Sequence, residues 1–241
     1  MSFYGLSFSL DNDFAADYNK IATRTAYGLA LAADGFSVSE PEVRTDYIEI
    51  KGLDGMLDVS ESPQGFPTYK NRTITAKLFR EPSPYRPVDA AALMAMASTL
   101  QNAWGGRRIR IWTPDDDTHY WSGRAAFGFD ADGYITMRAE VYPYRMKNAP
   151  SSFSDSTLQT TAKTFTVTNE GRYVIPTITV GQTTVVQMMQ GATTIPAAVT
   201  LTEGTWSLPQ TMLITGSNQF KARTTSGSGG TLSMSWREGK L

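Results

Sequence analysis

The sequence predicts a mainly β protein with one α-helix, built as two domains, and three observations carry that expectation. Short runs of alternating apolar and polar residues recur along most of the chain, each closed by Gly, Pro, Asn or Asp. Only one stretch, residues 88–104, repeats its apolar side chains at helical spacing. Near residue 150 the composition changes: from Ser151 to Leu241 there are 6 Lys or Arg and 4 Asp or Glu, out of 22 and 23 in all 241 residues, so the second part is poor in charge. Expected domains are residues 1–147 and 161–241, joined by a Ser-rich linker at 148–160 (Asn148-Ala149-Pro150-SSFSDSTLQT).

The chain opens on FYGLSFSL, in which Leu6, Phe8 and Leu10 share a face and predict a strand. Residues 11–46 predict one or two short strands with loops, the apolar run Tyr27–Ala32 among them. Tyr47–Lys51 alternates again, with Ile48 and Ile50 on one face. Gly52-Leu53-Asp54-Gly55 then supplies a tight turn needing positive φ, followed by Leu57 and Val59, a Pro- and Gly-rich loop, and a strand in which Ile74, Ala76 and Leu78 face the core. The stretch 47–75 holds no nucleophile, base or metal cluster, which is the chemistry of a scaffold.

Pro82, Pro84 and Pro87 break the chain before the predicted helix Val88–Trp104. Asp89 caps it, Leu93, Met96, Ala97, Leu100 and Trp104 form its buried stripe, and Gly105-Gly106 ends it. Arg107–Trp112 reads as a strand whose Ile109 and Ile111 point inward while Arg108 and Arg110 point outward, towards carboxylates on a neighbouring strand or subunit. The acidic loop Asp115-Asp116-Asp117 follows, then a strand through Tyr120-Trp121-Ser122-Gly123-Arg124, a turn at Asp130-Ala131-Asp132-Gly133, and a strand with Ile135, Met137, Ala139 and Val141 inward.

Several of these motifs resemble one family in their order along the chain. The run Y-I-x-I-x-G-x-D-G-x-L-D from Tyr47, followed by Y-x-N-R-T from Tyr69, is similar to the N-terminal domain of distal tail proteins of long-tailed (siphovirus) bacteriophages. The opening F-Y-G-L-S-F, the helix, G-R-R-I-R-I-W, the acidic loop, Y-W-S-G-R and Y-P-Y-R extend the likeness over most of residues 1–145. The resemblance marks Gly52, Asp54, Gly55, Asp58, Asn71 and Arg72 as a structural motif. It implies a tail-tube-like split β-barrel or sandwich in the first domain and a galectin-like β-sandwich in the second.

In the second part, β-prone runs fall at Lys163–Val167, Arg172–Val180, Thr183–Met189, Pro196–Leu201, Met212–Thr215, Gln219–Arg223 and Thr231–Arg237, separated by Gly- and Asn-rich turns. That spacing predicts an all-β sandwich. The alternation of Leu232, Met234 and Trp236 places Trp236 in its core, and the closing W-R-E-G-K-L is similar to the family's last strand.

Composition and motifs exclude several function classes. The chain lacks cysteine, so disulfides, zinc–thiolate sites and thiol nucleophiles are excluded. A net charge of -1 argues against a general nucleic-acid binder. No run reaches the length of a membrane span, and the N-terminus lacks the pattern of a secretory signal, so membrane insertion and export are not expected. No G-x-S-x-G, H-E-x-x-H or phosphate-binding Gly loop occurs. Asp11-Asn12-Asp13 lacks the remainder of a calcium loop and reads as a solvated turn. His119, the sole histidine, stands beside the acidic triplet with no second ligand at a fixed spacing. A carboxylate pair such as Asp115 with Glu140 is no more than an Asp-rich chain supplies by chance. No catalytic, metal or cofactor site is therefore expected.

The resemblance implies a structural virion protein of the distal tail or baseplate hub. Its copies would form a ring, in the family a hexamer, at the phage tail tip, after folding in the bacterial host cytoplasm. The ring would join the tail-tube protein to the tail-tip hub and carry receptor-binding proteins, while DNA passes through its channel without specific binding. Arg108, Arg110, Asp115, Asp116 and Asp117 are the candidate ring-contact charges. The alternative is a carbohydrate-binding sandwich with Trp206 stacking on a sugar ring. A third reading, a cell-wall hydrolase, would rest on Asp115 and His119.

Overall fold

The structure is a computed structural model and describes residues 5–11, 19–51, 54–61, 66–80, 89–189 and 197–241. Antiparallel strands dominate it, and the chain divides into two compact units, residues 1–145 and 146–240.

The first unit runs β1 (Ser7–Leu10), β2 (Ile21–Ala22), α1 (Thr23–Tyr27), β3 (Leu29–Val38), β4 (Tyr47–Glu49), β5 (Met56–Asp58), β6 (Arg72–Arg80), α2 (Ala90–Trp104), β7 (Arg108–Thr113), β8 (Asp116–Phe129) and β9 (Ile135–Val141). Its main sheet has the order β2-β1-β7-β8-β9-β6-β3. Alternation explains its faces: Ile109, Ile111, Trp121, Ala125, Ile135, Met137, Ala139, Ile74, Ala76 and Leu78 are buried in one core. That core is covered by α2, which buries Leu93, Ala97, Leu100 and Trp104, the stripe its sequence predicts except for the half-buried Met96. Asp89 accepts a hydrogen bond from the Ala91 backbone at 3.0 Å and caps the helix. Phe8 lies 5.9 Å from the Trp104 ring and 5.8 Å from Phe127, and the Trp104 indole donates to the Tyr27 hydroxyl at 3.1 Å.

The short helix α1 departs from the strands and loops expected over residues 11–46. It forms before Gly28, whose φ of 65° gives a left-handed C-cap. Leu10 departs from the predicted face: it ends β1 beyond the core and is exposed, whereas Leu6 and Phe8 are fully buried. Asn12, Asp13, Gly52, Pro82, Pro84, Pro87 and Val88 lie outside the described residues.

Strand β10 (Arg145–Lys147) spans the point where the chain divides. The second unit contains β11 (Ser151–Leu158), β12 (Lys163–Asn169), β13 (Thr177–Val180), β14 (Thr184–Met189), β15 (Val199–Leu201), β16 (Gly204–Trp206), a 3₁₀ turn (Pro209–Thr211), β17 (Gly216–Thr224), β18 (Gly230–Trp236) and β19 (Gly239–Lys240). Two four-stranded sheets, β11-β18-β13-β16 and β12-β17-β14-β15, face each other over one apolar core, which makes a β-sandwich. Phe165 stacks on Phe220 at 5.2 Å and Phe153 meets Phe220 edge-on at 5.5 Å. The buried Asn218 is satisfied within its own turn, donating to Ile214 O and accepting from Ile214 N. Glu238, also buried, binds Lys147 Nζ at 2.8 Å.

The second part differs from expectation in several places. Residues 151–158, within the expected linker, form the edge strand β11, which pairs with β18 from Ser151↔Trp236 onward. Its Ser-rich outer face resembles a linker in composition, but backbone pairing to a distant strand needs no apolar outer face. Met212–Thr215 forms only an isolated bridge, Val174↔Leu213, while Gly204–Trp206, whose glycine reads as a turn, pairs with β13.

Candidate interaction surfaces

The first surface is an arm that leaves the main sheet between β3 and β6. Backbone hydrogen bonds continue the two strands outward, from Ser39 N to Thr73 O, Lys70 N to Glu42 O and Arg44 N to Thr68 O, with an isolated bridge Val43↔Tyr69. Beyond Asp46, whose carbonyl accepts from Val59 N, the arm ends in the two-stranded hairpin β4–β5, with register Tyr47↔Asp58, Ile48↔Leu57 and Glu49↔Met56. Gly55, at φ 84°, sits in the connection, where a side chain would be strained. Asp58 accepts from Ser60 N and Oγ, and these bonds lower its pKa.

Every described residue from 42 to 58 is exposed, apolar ones included. Ile48 is 51% exposed, Leu57 54% and Met56 65%, and Tyr47, Ile50 and Val43 are exposed too. The cross-strand pair Ile48–Leu57, with Ile50, makes one face of the hairpin apolar. A lone two-stranded hairpin is marginal in water, and covering each of these half-exposed side chains would contribute about 1 kcal/mol. Among the described residues, 42–51 and 54–58 of this arm thus bury no side chain in the core of the first unit.

The second surface lies on the sheet around β7 and β8. Arg110 is 1% exposed and binds Asp11 at 2.8 Å; Arg108 binds the other oxygen of Asp11 at 3.2 Å. Ser122 also donates to Asp11. Asp11 is therefore a buried partner of two arginines, not the solvated turn residue its Asp-Asn-Asp context suggests, and Arg110 spends its charge inside the chain. Burial raises the pKa of Asp11, but the hydrogen bonds from Ser122 and Arg110 and the two arginine charges outweigh it, and the net shift is downward. The Arg110 guanidinium also lies over the Tyr120 ring at 4.8 Å. Beside this network is a groove of about 420 Å³ lined by Arg108, Arg124, Asn71, Glu140 and Tyr142. Its floor includes Gly123, where an added Cβ would lie 2.1 Å from Glu140 O and 2.6 Å from Val141 Cα.

The motif residues fall in different places. Asp54 and Gly55 are exposed on the arm and Asp58 ends β5. Asn71 donates to Glu140 in the groove at 2.8 Å, and Arg72 is buried over the Trp121 ring, its Nε bound to Ser39 O at 2.7 Å. The acidic loop forms the β7–β8 turn, with Asp115 and Asp117 exposed. Asp116 binds Arg145 at 3.2 Å and His119 Nδ1 at 3.0 Å. Burial raises its pKa, yet hydrogen bonds from Thr118 and the neighbouring His119 hold it at about 2. Asp115 and Glu140 stand at opposite ends of the β7–β8 hairpin, since Glu140 pairs with Arg124 and Arg124 with Arg108. Among the described residues no three His, Asp or Glu side chains converge as a metal site. Asp11 is the residue that sequence reasoning misplaces; the signal for it is its position just after a strand that pairs with the arginine-bearing β7.

In the second unit Trp236 is buried among the core residues. Trp206 lies on the edge strand β16, 36% exposed, with its indole N–H donated to Thr202 O at 2.9 Å. The outer face of its sheet carries rows of exposed hydroxyls, Ser154–Ser233–Thr179–Thr205 and Ser152–Ser235–Thr177, with no charge among them.

No family model matches the sequence, and no curated protein matches it. Among solved structures, the crystal structure of the Dit protein (gp 19.1) of phage SPP1, described as a paradigm of the hub adsorption apparatus in phages infecting Gram-positive bacteria, is similar to this chain. The likeness has a TM-score of 0.54 at 14% identity and covers 96% of this chain and 98% of that one, so the two share a fold over almost their whole length.

Proposed function

We propose that this chain is a structural protein of a long-tailed bacteriophage, a distal tail or hub component whose copies assemble into a closed ring. The exposed apolar arm carries this reading, because Ile48, Leu57, Met56 and Tyr47 are uncovered within the chain and an identical neighbour supplies a cover at every position of a ring. The likeness to a hub protein of a phage supports it. The ring is a hexamer at the tail tip, between the tail-tube protein and the tail-tip hub, with receptor-binding proteins attached. DNA passes through its channel without specific binding. The protein is not an enzyme, folds and assembles in the host cytoplasm, and its two parts act as a belt domain and an outward galectin-like sandwich.

The test is sedimentation over a concentration series. A paired Ile48→Ser, Leu57→Ser variant is expected to keep the far-UV spectrum of the wild type and to remain monomeric where the wild type assembles. Equal assembly by the variant would mean that the arm is not the contact between copies.

A second reading has its own observation. Trp206, 36% exposed at the edge strand β16, pairs with Ile178 and so lies on the opposite side of that strand from the hydroxyl row; stacked on a sugar ring at this edge, it would make the sandwich a carbohydrate-binding module. Glycan binding lost in Trp206→Ala would support it, and no binding at millimolar sugar would remove it.

A further inference from the structure

The β7–β8 hairpin carries opposite charge at its two ends. At its base Arg108 and Arg124 are direct cross-strand partners, an arrangement of like charges that is unfavourable unless something compensates it. Asp11 pairs with Arg108 and with Arg110. Arg124 is exposed and donates to the Gly106 carbonyl, and no carboxylate lies within ion-pair distance of it among the described residues. Glu140, opposite it in register, accepts from Asn71 instead. At the tip of the hairpin the balance is reversed. Asp116 is matched by Arg145, while Asp115 is exposed and makes no ion pair among the described residues, beside the exposed Asp117.

We propose that the acidic tip of one copy, Asp115 foremost, docks into the groove at Arg108 and Arg124 of the next copy. This rests on the assembly reading above and names the pair of surfaces that sets its direction. The two ends cannot meet within one chain, because five residue steps of extended strand separate Thr113 at the tip from Arg108 at the base, on the order of 17 Å. The groove, at about 420 Å³, is large enough for the two-residue turn and lies open on the face of the sheet across β7, β8 and β9. Tip and groove are different patches of one surface, so the contact is heterologous: each copy offers a tip to one neighbour and a groove to the other, and the chain of contacts closes as a ring or runs on as a filament. Charge pairing of this kind fixes direction and register, while the apolar arm supplies area.

The test uses the absence of cysteine from the native chain. Pro114→Cys places a thiol at the tip and Ala126→Cys places one beside Arg124, both at exposed positions and with every charge retained. Mixed and treated with a short bismaleimide, the two proteins should give a 114–126 cross-linked heterodimer in preference to either homodimer, and high salt should suppress it. Asp115→Arg and Arg124→Asp should each raise the concentration needed for assembly more than about tenfold, and the chain carrying both should recover. Wild-type assembly without the 114–126 cross-link, or normal assembly by either reversal, would overturn this inference and leave the ring standing. A wild type that stays monomeric and uncross-linked at every concentration would overturn both.

Discussion

Gly123 shows how a single residue shapes the candidate surface. Its missing Cβ lets β9 approach within contact of β8 at the groove floor, where the clash would be with backbone that cannot swing aside. Gly123→Ala is expected to destabilise the first unit by about 3 kcal/mol, at the upper end of overpacking costs, read as a fall in the denaturant midpoint. Asp116 makes a pH-dependent prediction. Its folded pKa of about 2 lies below its ordinary value of 3.8, so the stability it contributes is present above pH 3.8 and lost as the pH falls through about 2. Asp116→Asn should therefore lower the melting temperature at neutral pH, and the gap from wild type should close towards pH 2. A gap that persisted at pH 2 would mean that the side chain's hydrogen-bond geometry, rather than its charge, is what matters. Such residue-scale facts are only partly legible in the sequence. The arginines of β7 can be read from alternation with Ile109 and Ile111, whereas Asp11 as their partner depends on β1 lying beside β7, a pairing between residues about a hundred positions apart.

Elements with a strong local signal are readable, and those defined by distant partners are not. The helix α2 has its cap, its stripe and its terminating glycines all within one stretch of chain, and the structure starts it two residues after Val88. Removing the cap in Asp89→Ala should cost about 1 kcal/mol, measurable by chemical denaturation. Strand β11 is the opposite case: a Ser-rich sequence becomes a strand because β18 offers it a free edge. The β4–β5 hairpin is recognisable from its turn residues, but its exposure is hidden, because Ile48, Ile50 and Leu57 alternate as core residues do. Apolar alternation reports a face that needs covering and does not say whether the cover lies in the same chain. The serine variant of the hairpin should change monomer stability by less than about 0.5 kcal/mol, as exposed positions do, while abolishing assembly.

For the whole molecule, fold class is the more legible part: strand punctuation throughout, one long helix, and a mainly β chain whose fold is shared with a phage hub protein over nearly its full length. Function is less so, because the proposed role rests on surfaces that would match other copies of the chain, and such surfaces leave no compact motif along the sequence. The most direct test of ring assembly is native mass spectrometry of the purified protein across a concentration series, with negative-stain images of the same samples. The expected result is a discrete closed oligomer at the hexamer mass, seen end-on as a ring with an open centre. A protein that remains monomeric at every concentration and ionic strength, its apolar arm in water, would contradict it.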